Sequence, residues 1–276
     1  MRRARSALMS SALLLAAVPA RAQDTSAFPE TDRIFHRLLA DPRQAQTSAR
    51  YYRQAGDDMA DIALGNSWGM IRWTGLGLGG WQLQWNVEGM AYTRFKLGGG
   101  INEFQTIDFF GNLPLEARRG IFSGKLVLFH ASSHLGDDYI RRTGDLGTRY
   151  SIEGLRLLAS VEPHPFVRVY GGGGDILHSV PAGKGGMLQV GIELRTPDFN
   201  ASTRYPKHLY FAEDVRWLDR VGWSATINTE IGIRIAYSGV IRSLRVHLGD
   251  SHGHSDFGQF YSRTENYVNL GISCDF

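Results

Sequence analysis

Between Trp81 and Leu97 the chain alternates without a break between apolar and polar side chains, and this stretch limits the fold more than any other. Trp81, Leu83, Trp85, Val87, Gly89, Ala91, Thr93, Phe95 and Leu97 fall on one side. Gln82, Gln84, Asn86, Glu88, Met90, Tyr92, Arg94 and Lys96 fall on the other. A period of two means an extended strand with one apolar and one polar face. Soluble strands usually run about five or six residues. Strands that cross a membrane need about 9–11 tilted residues, apolar toward lipid and polar toward the lumen. The pattern recurs from Trp223 to Ile235, with Ala225, Ile227, Ile231 and Ile233 opposite Ser224, Thr226, Asn228, Glu230 and Arg234. It recurs again from Met187 to Arg195, with Leu188, Val190, Ile192 and Leu194 on the apolar side.

The N-terminus sets the compartment. Arg2, Arg3 and Arg5 precede an uncharged apolar run from Ala7 to Val18, and Ala20-Arg21-Ala22 has a small-x-small pattern. This is the form of a secretory signal over residues 1–22, with the cut expected before Gln23. The apolar run is too short to span a bilayer as a helix. The formal charge of +3 rests on signal arginines, so the exported chain is close to neutral and offers no electrostatic case for nucleic acid. The single cysteine, Cys274, permits no internal disulfide.

Exported, rich in glycine and aromatics, and without a spanning apolar run, the chain reads as all-β: a transmembrane antiparallel β-barrel of outer-membrane type. The strand count is about twelve, even as single-chain bacterial barrels favour. The strands are expected near 47–54, 58–74, 80–97, 103–117, 120–132, 148–161, 165–175, 187–196, 207–217, 222–236, 240–249 and 266–276. Residues 23–46 precede the barrel as a periplasmic segment, with a short helix near Arg33 to Leu39, and 47–276 form the barrel. At the C-terminus Phe276, Cys274, Ile272, Leu270 and Val268 share one face. This resembles the closing-strand signal of outer-membrane barrels, which the barrel assembly machinery reads. If the last strand ends in the periplasm, 134–147, 176–186 and 250–265 become outer loops; the long connection 196–207 does not suit the scheme. Charges facing inward, among them Glu88, Arg94, Arg168, Glu193, Glu230 and Arg245, are expected to pair across a narrow lumen.

The candidate chemistry lies in Phe129-His130-Ala131-Ser132-Ser133-His134-Leu135-Gly136-Asp137-Asp138. If Ser123 and Lys125 face the lumen, His130 and Ser132 share the lipid-facing side, about 7 Å apart at Cβ. A hairpin centred between Arg141 and Arg142 sets Glu153 opposite His130. Serine as nucleophile, histidine as general base and glutamate as orienting group would hydrolyse an acyl ester. A carboxylate on a lipid-facing wall is expensive to keep without a purpose. Ser133, His134, Gly136, Asp137 and Asp138 are the candidate supports around this set. The opposite parity would turn His130 and Ser132 into a polar lumen with no chemistry to explain. A second, weaker pattern gathers Asp137, His252, His254 and Asp256 on the outer rim as divalent-metal candidates. No cofactor is required by the sequence, and calcium is the cation such a rim could take.

His130-Ala131-Ser132 resembles the His-x-Ser pair that outer-membrane phospholipase A and the lipid A deacylase carry on the outside of their barrels. That likeness implies outer-leaflet lipid as substrate. Over a longer stretch, Leu39-Ala40-Asp41-Pro42-Arg43, Asn112-Leu113-Pro114-Leu115 and Ser132-Ser133-His134-Leu135-Gly136-Asp137 look like a family of uncharacterised outer-membrane barrels, a domain of unknown function. It implies location in the outer membrane of a Gram-negative-type bacterium, after export through the inner membrane, and no activity. Three functions stay open: a lipid acyl hydrolase, a small channel or ligand-binding barrel, and a structural or surface-interaction barrel. The partners implied are outer-membrane lipids and the assembly machinery, with room for a homodimer.

Overall fold

The computed structural model describes residues 24–29, 33–76, 80–100, 102–200, 204–237 and 241–276. The expected export signal over 1–22 lies outside these. The strands are β1 (Asp24–Ala27), β2 (Thr47–Gln54), β3 (Asp57–Leu76), β4 (Trp81–Leu97), β5 (Glu103–Arg119), β6 (Phe122–Leu135) and β7 (Tyr150–His164). They continue as β8 (Val167–Val180), β9 (Met187–Arg195), β10 (Lys207–Leu218), β11 (Ser224–Ala236), β12 (Ser243–His254) and β13 (Thr264–Asp275). Among the described residues one α-helix, α1 (Asp137–Thr143), follows β6. Each of β2 to β13 pairs antiparallel with its neighbours, and β13 returns to β2 through Leu270↔Tyr51 and Ile272↔Ala49. Twelve strands therefore close a barrel, and β1 adds to β3 at the end that carries both chain termini. Among the described residues, no helix is long and apolar enough to cross a membrane.

Closure satisfies the wall's backbone from within, which a bilayer demands. Alternation then sorts the side chains as the sequence predicts. In β4, Gln84, Asn86, Glu88 and Arg94 are buried; in β13, Val268, Leu270 and Ile272 lie exposed on the outer face. Leu113, Leu126, Leu128, Leu155, Leu157, Ile231 and Leu248 continue the apolar belt, with Trp81 and Phe122 near the terminal end and Trp223 at the opposite, loop end. An outward apolar band with aromatics near its edges is the lipid-facing surface of a membrane barrel. Strands β8, β12 and β13 run further toward the loop end than expected; on β12 and β13, Asp250, His252 and Asn266 keep the alternation in polar residues above the belt.

The inward charges pair, as a narrow lumen requires. Lys125 binds Glu88 at 2.8 Å, Arg94 binds Asp61 at 2.9 Å and Glu265 at 2.6 Å, and Arg168 binds Glu193 at 3.1 Å. Glu230 lies between Arg50 at 3.0 Å and Arg245 at 3.3 Å.

The segment before the barrel holds a position the sequence did not suggest. The expected helix near Arg33 to Leu39 does not form; residues 33–46 are irregular and run inside the lumen. Glu116 accepts the N–H groups of Ile34 and Phe35 at 3.0 and 3.1 Å, and Glu193 accepts that of Leu39 at 2.8 Å. Arg168 donates to the carbonyls of His36 and Arg37, and Phe35 and Leu38 pack on Leu158 and Tyr170. Barrel carboxylates and arginines thus replace the sheet partners this backbone lacks. A cavity of about 410 Å3 remains between the segment and the wall at the terminal end, lined by Arg33, His36, Arg168 and Arg234 among others. From the loop end, residues 255–263 fold inward: the Phe257 ring stacks on Tyr92 at 4.3 Å, with Arg94 over its other side at 4.4 Å. The lumen is filled from both ends.

Replacing Glu116 with alanine strands the Ile34 and Phe35 amides. Glu116→Ala is expected to lower stability by about 2–4 kcal/mol, read from the folded-to-unfolded shift on heated gels, and to raise ion conductance in planar bilayers. Unchanged values in both would mean that Glu116 does not hold the segment.

Candidate functional site

Strand β6 carries the site, and its parity is the one on which the reading depends. Ser123, Lys125, Val127, Ala131 and Ser133 are buried, whereas Leu126, Leu128 and His130 are exposed on the outer wall, with Ser132 half-buried beside them. The β6–β7 register sets His130 opposite Glu153 and Ser132 opposite Ser151. His130 Nδ1 lies 2.8 Å from Glu153 Oε1, and Ser151 Oγ donates to that same oxygen at 3.1 Å. No hydrogen bond joins His130 to Ser132. Their two-residue spacing on one face keeps the Cβ atoms about 7 Å apart.

A carboxylate only accepts hydrogen bonds, so Nδ1 of His130 donates to Glu153, and Nε2 is the ring nitrogen left for another partner. The far side of the imidazole is open as well. Gly111 stands opposite it on β5, and a Cβ built there would meet nothing within 4 Å. The site side chains are 50 % exposed at His130 and 37 % at Glu153, next to the outward Leu113, Leu128 and Leu155.

One member escaped the sequence reading. His178 binds the second oxygen of Glu153 through Nδ1, so the carboxylate is held between two imidazoles. The register that pairs Ser160 with Tyr170 would, unbroken, set Glu153 against Leu177. A bulge next to Gly154 advances it by one and brings His178 into place. Strand periodicity carries no sign of a bulge, and a strand ended at residue 175 leaves His178 in a loop.

The expected supports divide by face. Ser133 points into the lumen, where its hydroxyl donates to Asp108 Oδ1 and accepts the Gln259 N–H at 3.0 Å. Gly136 is a packing glycine: a Cβ there would lie 2.1 Å from the Phe104 carbonyl oxygen. Asp138 accepts the Phe104 N–H at 3.1 Å and so ties α1 to β5, while Asp137 opens the helix. His134 faces outward beyond Ser132, its ring edge-on to Phe109 at 6.3 Å.

The rim metal set does not assemble. Asp256 is drawn inward onto Arg216, and His252 pairs with Asp250 at 2.8 Å and Asn266 at 3.1 Å on the outer face. Among the described residues no group of three His, Cys, Asp or Glu side chains could hold a metal ion.

Neighbouring serines on opposite faces give a direct check. Ser133→Ala is expected to cost about 1–3 kcal/mol, seen as a lower melting temperature, because Asp108 and the Gln259 amide lose a buried partner. Ser132→Ala should leave melting unchanged. Equal effects would contradict the parity.

Solved structures align with the chain along most of its length. Outer membrane phospholipase A from Escherichia coli aligns with a TM-score of 0.54 at 13% identity, over 85% of this chain and 93% of that one. A KdgM porin aligns at 0.46 and 9% identity, over 84% and 99%. LpxR from Salmonella typhimurium aligns at 0.39 and 12%, over 84% and 100%. At 13% identity the likeness to the phospholipase is one of fold alone. No curated protein matches in sequence. A family model described as "Protein of unknown function (DUF1207)" matches residues 6–276.

Proposed function

The chain belongs to the DUF1207 family of outer-membrane-type barrels, and from that premise we propose that it is a lipid acyl hydrolase working on the outer wall of the barrel. The observation that carries this reading is the His130–Glu153 pair, met at 2.8 Å on the lipid-facing side and next to Ser132. A carboxylate and two imidazoles within an apolar belt cost stability unless they serve a reaction or a ligand. Filling of the lumen from both ends weighs against a steady open channel.

In the proposed reaction the ester carbonyl of a membrane lipid settles beside Ser132 with its acyl chain along the leucines below. His130 Nε2 takes the Ser132 hydroxyl proton as Oγ attacks the carbonyl carbon. Glu153, already bound to Nδ1, orients the ring and stabilises the imidazolium. The imidazolium then protonates the leaving alkoxide. Water, deprotonated by the same nitrogen, cleaves the acyl-serine and releases the fatty acid. His178 and Ser151 fix the Glu153 carboxylate and act as positioning residues. The shared fold with a phospholipase supplies a scaffold of the right kind; the assignment rests on these side chains.

The test is fatty-acid release from phospholipid and lipopolysaccharide by refolded barrel, with and without calcium. Ser132→Ala and His130→Ala are expected to abolish release, and Glu153→Gln to lower it by about 10²–10⁴-fold, the range for losing an acid–base partner. Release that persists in Ser132→Ala, or none from folded wild-type protein, would overturn the reading.

A further inference from the structure

The hydrolase reading leaves open what part of a lipid, besides its ester, the wall could recognise. Arg149 stands immediately before β7, and the inward turn of Tyr150 sends it outward on the face of Ser151, the cross-strand partner of Ser132. It is exposed, and among the described residues it has no hydrogen bond, ion pair or ring contact. The other basic residues around the loop end are engaged: Arg53 with Asp58, Lys96 with Asp57, Arg141 with Asp138, Arg142 with Glu103, Lys184 with Asp219.

The position of Arg149 is built. The amide of Gln259, on the inward-folded loop, grips the preceding peptide from both sides. Its Oε1 accepts the Thr148 N–H at 3.1 Å, and its Nε2 donates to the Thr148 carbonyl at 2.7 Å. The same residue binds the Ser133 hydroxyl and carbonyl. One side chain thus fixes the backbone next to Arg149 and next to Ser132. The loop's own acid, Asp145, is engaged by the Gly147 N–H at 2.8 Å. His134, outward and one same-face step beyond Ser132, falls level with Arg149 when the register Ser132↔Ser151, Ser133↔Tyr150 is continued.

We propose that Arg149, with His134, forms a phosphate subsite for the head group of the acylated lipid whose ester lies at Ser132; this rests on the hydrolase reading. Two residue steps, with Tyr150 between them, set the Arg149 backbone about 7 Å along the wall from Ser151, a span a glycerol or sugar unit bridges between ester and phosphate. The guanidinium's planar fork suits a phosphate oxygen pair, and its place at the loop-end rim, beyond the apolar belt, is where head groups begin.

The test uses the full refolded Ser132→Ala barrel in neutral detergent, so that binding is read without turnover. Phosphatidylglycerol and lipid A are compared with diacylglycerol of the same chains and with inorganic phosphate alone. Phosphatidylglycerol, lipid A or both are expected to bind at least about tenfold tighter than diacylglycerol, and Arg149→Gln to remove that preference, the effect of one charge-assisted contact. Arg149→Lys should restore part of it. Which phosphate lipid binds identifies the source. A preference that survives Arg149→Gln, or inorganic phosphate bound as tightly as the lipids, overturns the subsite. Acyl release by wild-type protein is measured separately. If release is absent while the Arg149-dependent preference holds, the hydrolase reading fails and the subsite stands as a lipid-binding site. If release occurs with no such preference, the subsite fails alone.

Discussion

A backbone amide in hydrocarbon has no water to bond, and everything in this molecule follows from that. The only strand structure that leaves no unpaired edge is a closed one, and here β13 meets β2 to close it. Closure with twelve strands fixes the lumen as narrow. Narrowness forces every inward charge to find a partner within reach, because an unpaired buried ion costs several kcal/mol. The arginine and carboxylate network across β2, β4, β8, β9, β11, β12 and β13 is the consequence. It is better read as the condition for a polar lumen than as a source of stability, since desolvation offsets much of what each pair gains.

The same network explains why residues 33–46 can lie inside without regular structure. A peptide in a lumen needs acceptors for its amides and donors for its carbonyls. Glu116, Glu193, Arg168 and Arg245 supply both, through side chains that already belong to ion pairs or their neighbours. The segment therefore neutralises part of the wall while the wall satisfies the segment. The inward loop 255–263 uses the same device with Asp108 and Ser133 as acceptors.

Most of the wall was legible in the sequence because one physical rule, apolar toward lipid and polar toward the lumen, writes itself at every second residue. That rule placed the strands, gave the parity of β6, and with a hairpin centre gave the His130–Glu153 register. What it could not show are the features that break alternation or lie outside it. The bulge that recruits His178 shifts a register by one residue with no change in composition. The fate of residues 33–46 depends on partners more than 70 residues away in sequence, such as Glu116 for Phe35. The rim metal set looked plausible as a collection of residue types and fails in space, because Asp256 answers to Arg216 in the lumen while His252 faces outward.

The period of two also separates stability from chemistry along β6. Ser133 is committed to Asp108 and Gln259 inside, whereas Ser132, one residue earlier, faces the bilayer between Phe109 on β5 and Ser151 on β7. The inner face can be rigid because its neighbours are fixed by ion pairs and by the inward loop. The outer face can then carry groups a bilayer disfavours, since the inner face holds their backbone in place. Gln259 makes the link material: it reaches from the loop through the barrel mouth to the peptides beside Ser132 and Arg149. A filled lumen is in this sense a support for the wall. A barrel with an open pore would have no interior residue placed to hold two points of its outer surface at a fixed separation.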